Sequence, residues 1–253
     1  MSWASRRKLL YFLGIVLFFS VPTAIFLAYA LYKPATCFDG ILNQGETNID
    51  RGGPCKLLDE RRLIPHSILW ARTFLARPGV HSAIAYIENP NTEAGVKAAP
   101  YRMKIYDERN IIVAERIGVV SVMPGTITPV FEGTIDSGER FATRAFFEFS
   151  APLVWERLHD RSRSVAVSDK IIRDAETSPR VSAILNNTDV VDLKDVRVTA
   201  VVFDTAGNAF AASSTEIPIL APNEKTTVTF TWPTGFKRRV SRIDVLPIVS
   251  PID

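Results

Sequence analysis

The sequence predicts a mainly β chain in which one N-terminal transmembrane helix precedes two tandem antiparallel β-sandwich domains. Three observations carry this reading. An uncharged apolar run lies near the N-terminus, apolar residues further on alternate at period two between turn signals, and short matches recur about 100 residues apart. Composition permits such a chain: of 253 residues, 47% are hydrophobic and 23% charged, the balance of a folded protein and not of a tail or linker.

The first element is the span. Residues 9–32 form a run of 24 without Asp, Glu, Lys, Arg or His, and about 20 helical residues suffice to cross a bilayer core. A signal peptide has a shorter apolar stretch, roughly 7 to 15 residues. The run therefore reads as an uncleaved anchor, although Ala28-Tyr29-Ala30 offers a cleavage site. Arg6, Arg7 and Lys8 precede it and only Lys33 follows before Arg51. The positive-inside rule then puts the N-terminus (residues 1–8) in the cytoplasm and everything from Lys33 onward outside the cytoplasmic membrane. Tyr29 and Tyr32 suit interfacial anchors, and Pro22 is tolerated in a lipid-spanning helix. Gly14, Ser20, Ala24 and Ala28 give small-residue spacing that would let a partner helix approach closely. The same three N-terminal cations account for the whole formal charge of +3, so the remainder is neutral and does not suit a nucleic-acid partner.

Next comes a juxtamembrane segment and connector, residues 33–62, holding the two cysteines of the chain, Cys37 and Cys55. An even count in an oxidising exterior predicts a Cys37–Cys55 disulfide closing the loop. Two thiols alone make a poor zinc site. Asp39, Asn43, Glu46 and Asp50 inside the loop are oxygen donors of the kind calcium takes, yet their spacing is not that of an EF-hand. Acidic residues in a Gly-rich turn also simply cap local backbone or stay solvated. Both readings stand at this point.

The run Cys37-x-Asp39-Gly40-x-x-Asn43-x-x-Glu46-x-x-x-Asp50-x-Gly52-Gly53-x-Cys55 resembles a motif of secreted and membrane-anchored bacterial proteins, notably of the candidate phyla. In that motif a further cysteine stands where this chain has Arg51, so the family's bonding does not transfer whole, and an even pair remains here. The resemblance covers 19 residues and implies location more than activity.

Beyond a brief helical turn at 56–62 and a charged connector to about residue 79, the pattern is of strands. Tyr101, Met103 and Ile105 alternate with Arg102 and Lys104, and Val228, Phe230 and Trp232 with threonines. Further strands are expected at 82–87, 111–122, 127–135, 141–149, 181–185, 196–203 and 243–248, between turns such as Pro124-Gly125 and Ala206-Gly207-Asn208. The absence of crossover helices favours sandwiches over a parallel sheet. Ser82-Ala83-Ile84 recurs as Ser182-Ala183-Ile184, Tyr106-Asp107 as Phe203-Asp204 and Pro124-Gly125 as Pro222-Asn223, at offsets of 100, 97 and 98. That period fits immunoglobulin-like sandwiches at 63–160 and 161–253. The Arg- and Ser-rich stretch 156–174 joins them, unless 165–172 is a terminal strand. An aromatic-Asp turn, an outer strand and a Pro-Gly or Pro-Asn turn, as in YRMKIYDERNIIVAERIGVVSVMPGTITPVF and VRVTAVVFDTAGNAFAASSTEIPILAPNEKTTVTF, resemble the FxLYD-type family of bacterial extracytoplasmic β-sandwich modules. What that implies is architecture and location.

Signs of catalysis are sparse. His66, His81 and His159 have no paired-ligand spacing and no phosphate-cradling Gly motif occurs, so the expectation is a non-enzyme without cofactor other than the calcium considered above. Lys237-Arg238-Arg239 with Arg242 reads as a solvated hairpin or as a contact for an anionic glycan or headgroup. Trp70, Trp155 and Trp232 are candidates for a sugar-stacking platform, with Trp232 expected in the core. Asn186-Asn187-Thr188 is a formal sequon read as a turn. The functional expectation is a membrane-anchored cell-envelope protein presenting two modules for binding or adhesion to protein or glycan partners. The alternative is a structural or accessory subunit of a larger envelope or secretion assembly.

Overall fold

The computed structural model describes residues 3–31 and 35–251 and divides the chain into two compact units, residues 1–55 and 56–253. Tyr32 and Lys33, the expected end of the span and first exterior residue, lie outside the described residues.

The first unit opens with helix α1 (Trp3–Leu31). Its Ser5–Leu31 stretch is long and apolar enough to cross a bilayer, covering about 40 Å at 1.5 Å per residue. Its described side chains are exposed, as they are in a helix whose neighbours are lipid. The helix starts before the expected residue 9 because Arg6, Arg7 and Lys8 are good helix formers and no Pro or Gly stops it. The Arg7 guanidinium lies 3.9 Å from the Trp3 ring centroid. Pro22 sits inside the helix, and next to it Thr23 donates its hydroxyl to the Phe19 carbonyl at 2.7 Å.

In the second unit a 3₁₀ turn at Glu60–Arg62 precedes thirteen strands. The first sandwich comprises β1 (Ser67–Arg77), β2 (Val80–Asn89), β3 (Ala94–Asp107), β4 (Ile112–Val122), β5 (Thr126–Asp136) and β6 (Ala142–Phe149), with a two-residue β7 (Glu156–Arg157) on the start of β3. The second comprises β8 (Val165–Arg173), β9 (Arg180–Asn187), β10 (Leu193–Asp204), β11 (Ala209–Leu220), β12 (Lys225–Thr231) and β13 (Val240–Val249). Both use one topology: sheets β1-β2-β5 and β4-β3-β6 in the first match β8-β9-β12 and β11-β10-β13 in the second, antiparallel throughout.

The tandem copy extends to hydrogen bonds. Asn89 and Asn187, the last residues of β2 and β9, are 1% and 0% exposed. Asn89 donates to the Ala94 and Met123 carbonyls and accepts from the Asn91 N–H, while Asn187 donates to the Val191 and Leu220 carbonyls and accepts from the Asp189 N–H. The Asp107 carboxylate accepts from the Arg109 and Ile111 N–H groups, as Asp204 does from those of Ala206 and Asn208. In each the third turn residue, Asn110 or Gly207, has positive φ. Asp59 and Asp160 each cap the 3₁₀ turn that leads into a sandwich.

One expectation changes and one open alternative is decided. The connector through residue 79 contains β1, because Ile68, Trp70 and Phe74 pair with β2 through a bulge that breaks clean alternation. Within 156–174, residues 165–173 are strand β8, paired with β9. The larger difference is that the central strands β2 and β10 are buried on both faces. Ala83, Ala85 and Ile87 face the first core, and Val196, Val198, Ala200 and Val202 the second. Between them Ile84 and Tyr86 meet Val201, Phe203, Ala209 and Ala212 in a third cluster. The β1-β2-β5 sheet thus packs on the β11-β10-β13 sheet, and the two sandwiches form a four-layer stack.

Candidate functional site

Two places gather the residues that the sequence singles out: the cysteine loop in the first unit and the seam between the sandwiches in the second.

Cys37 and Cys55 are bonded, with Cα atoms 5.5 Å apart. The loop they close is held by its own acids. Asp39 accepts from the Thr36 N–H at 3.0 Å, the Ile41 N–H at 2.9 Å and the Asn43 side-chain amide at 2.9 Å, and these donors hold its carboxyl below the usual range. Asp50 accepts from the Gly40 N–H at 3.2 Å, and Glu46 from the Asn43 and Asp50 N–H groups. The carboxylates of Asp39, Glu46 and Asp50 are therefore engaged in bracing backbone. Asn43 Oδ1 is the one acceptor of the four-residue set that is buried without a partner. Cys37, Glu46 and Cys55 also converge, but the sulfurs are joined to each other and offer no thiolate. Gly52 and Gly53 both have positive φ, and a Cβ on Gly53 would lie 2.5 Å from the Gly45 carbonyl oxygen, so this turn takes glycine. Arg51, in the place of the related motif's extra cysteine, exchanges backbone hydrogen bonds with Asn48.

The seam is built on rings. Trp70 stacks on Tyr86 with centroids 4.3 Å apart, and both meet Phe203 edge-on. The Arg242 guanidinium lies 4.0 Å from the Phe203 ring centroid and pairs with Asp244. Tyr86 is buried with no partner for its hydroxyl among the described residues, and burial pushes its ionisation far up. Arg72 crosses the seam, donating to the Ala209 carbonyl and to Asn208 Oδ1, each at 3.1 Å. Along one side runs a groove of about 1060 Å³, lined by residues 71–76, 208–213 and 231–238 and by parts of β5 and β6.

The tryptophans do not make a platform. Trp155 and Trp232 are core residues and Trp70 lies at the seam. The basic cluster splits: Arg238 pairs with Asp204 at 2.8 Å, Arg242 stacks at the seam, and Lys237 faces the groove. His66 sits between Phe149 and Trp155, where burial lowers its pKa against an opposing push from Glu60, and His159 is exposed. His81 is 1% exposed and lies 2.9 Å from Ser137 Oγ through Nδ1, while its Nε2 accepts from the Ala142 N–H. An N–H donor thus stands where a serine-histidine hydrolase would place an orienting carboxylate. That arrangement makes Nδ1 the protonated nitrogen, and burial lowers the pKa. The buried Asn89 and Asn187 and the seam itself escaped the sequence reading. Their available signals were an Asn at the end of each apolar strand and the unbroken apolar runs of β2 and β10.

No protein-family model matches the chain, and no curated protein does. Among solved structures, red sea bream transglutaminase is similar over 75% of this chain and 32% of its own, at 12% identity and a TM-score of 0.23. A Bacteroides uniformis β-glucuronidase is similar over 70% and 22%, at 12% identity and a TM-score of 0.20. The chain pT26-6p matches over 74% and 62%, at 9% identity and a TM-score of 0.21. The chain spans less than two thirds of each of these proteins.

Proposed function

We propose that the protein is a single-pass, membrane-anchored protein of the cell envelope, with its N-terminus in the cytoplasm and its sandwiches outside, where they act by binding. The observation that carries this is α1: an apolar helix long enough to span, with its described side chains exposed, on a chain that is otherwise a β body. The cations Arg6, Arg7 and Lys8 on one side of the span support the orientation, and the disulfide suits an oxidising exterior. The bacterial anchored-protein motif and the FxLYD-type likeness belong to the same proposal. The role is read as non-enzymatic, a reading supported by His81, whose Nε2 accepts from the Ala142 N–H on the side away from Ser137.

Cross-linking in intact cells, followed by capture and mass spectrometry, tests the role. Links to wall material or to one recurring ligand support an independent binding module. A near-stoichiometric set of membrane proteins would make the chain an assembly subunit instead. The mature N-terminus tests the anchor: a chain starting at Leu31 would make it secreted.

A further inference from the structure

Four cations line the seam groove, Arg72, Arg144, Lys237 and Arg238, and no Asp or Glu does. Among the described residues, one of the four has a carboxylate partner, Arg238 with Asp204. Arg72 is held by neutral oxygens of Ala209 and Asn208, Arg144 by Asn110 Oδ1, and Lys237 has no ion pair among the described residues. Three positive charges thus stand uncompensated in one groove, on a chain whose formal excess lies entirely in its N-terminal tail. A concave wall of one sign attracts anions more strongly than a flat surface does.

The rest of the lining says which anion. Its rings are Phe74, Phe131, Phe141, Phe210, Phe236 and Trp232. Trp232 spends its indole N–H on the Ala212 carbonyl at 3.2 Å. Phenylalanines have no polar edge for sugar hydroxyls, whereas aliphatic side chains gain by covering them. Residues 71–76 and 208–213 line the groove consecutively, so strand edges face it, and β1 and β11 are both edge strands of their sheets. Arg72 and Trp232 occupy the Ala209 and Ala212 carbonyls of β11. Among the described residues β1 hydrogen-bonds only to β2, and β6 approaches its other side, so the groove presents mainly the side chains of β1 to an extended chain.

We propose that the groove docks an extended acidic segment of a partner protein along β1, its carboxylates on Arg72, Arg144 and Lys237 and its apolar side chains on the phenylalanines. This rests on the binding reading above and deepens it by naming a ligand class.

The test uses the full chain in detergent micelles and fluorescence anisotropy with three probes: a labelled peptide of alternating Asp and Leu, the same peptide with Lys for Asp, and labelled oligogalacturonate. The expected result is binding of the acidic peptide alone, weakening as salt rises. Arg144→Glu with Lys237→Glu should weaken it at least ~tenfold, or about 1.4 kcal/mol. Lys225→Glu, on an exposed lysine outside the groove, should leave it unchanged. Arg144→Gln with Lys237→Gln, which removes charge without reversing it, should give a smaller loss in the same direction and guards against misfolding. No binding of the acidic peptide, equal binding of the basic one, or indifference to both double variants overturns the proposal. Oligogalacturonate binding in place of the peptide overturns the ligand class while leaving the binding reading intact, and the cross-linking experiment decides that reading separately.

Discussion

Replacing Asn187 by alanine strips three backbone groups of their partners at once. The side chain is fully buried, donates to the Val191 and Leu220 carbonyls at 2.9 Å each, and accepts from the Asp189 N–H at 2.8 Å. Each lost hydrogen bond costs about 1 kcal/mol, and more where water cannot reach the stranded group, so the loss is roughly 3 kcal/mol. With an m-value of about 2 kcal/mol per molar urea, the unfolding midpoint should fall by ~1.5 M. Asn187→Asp should cost at least as much, because a carboxylate would replace the donor and face two carbonyl oxygens. Asn89→Ala should cost a similar amount, since the same three bonds recur there. The assay is urea unfolding of the full chain in micelles by tryptophan fluorescence. A midpoint shift below ~0.5 M for Asn187→Ala, or wild-type stability for Asn187→Asp, would refute the accounting.

His81 and His66 both have pKa values lowered in the fold, so the unfolded chain binds more protons below about pH 6.5 and stability should drop as pH falls through that point. Thermal melts across pH 5 to 8 check this: His81→Gln, which can still accept from Ala142 and donate to Ser137, should flatten the slope, and an unchanged slope would contradict it. Tyr86→Phe removes a buried, unpartnered hydroxyl and should raise the melting temperature by an amount worth up to ~1 kcal/mol; a fall would mean that the hydroxyl is satisfied in solution. Reducing the Cys37–Cys55 bond should release loop-closure entropy worth about 3 kcal/mol and speed tryptic cleavage after Arg51, measured by mass spectrometry; equal rates would show that the loop holds without it. Because Asp39, Glu46 and Asp50 already accept from loop donors, calcium should leave the melting curve unchanged. A rise that Asp39→Ala abolishes would instead assign the loop to calcium.

The patterns that proved readable were the local ones. The buried faces of β3 and β12 follow from simple alternation: Tyr101, Met103 and Ile105, then Val228 and Phe230, all point inward. The Tyr106-Asp107 and Phe203-Asp204 repeat turned out to mark the same Asp-capped turn. β1 was harder, because a bulge shifts its register and part of its burial comes from the other sandwich. The loop acids illustrate the same limit. Their types suit an ion or a cap equally, and only the tertiary positions of the Thr36, Gly40 and Ile41 N–H groups show which backbone donors they accept from.

The sequence by itself determined the apolar span, the cysteine pair and the β character of the body, because each depends on chain-local composition, spacing or period. Tertiary structure alone decided that the two sandwiches stack in four layers, that Arg72, Arg144 and Lys237 share one groove, and that Asn89 and Asn187 are closed inside. Those facts join residues as far apart as Arg72 and Asn208. Sequence periodicity reports which face of a strand is apolar, but not which surface covers it.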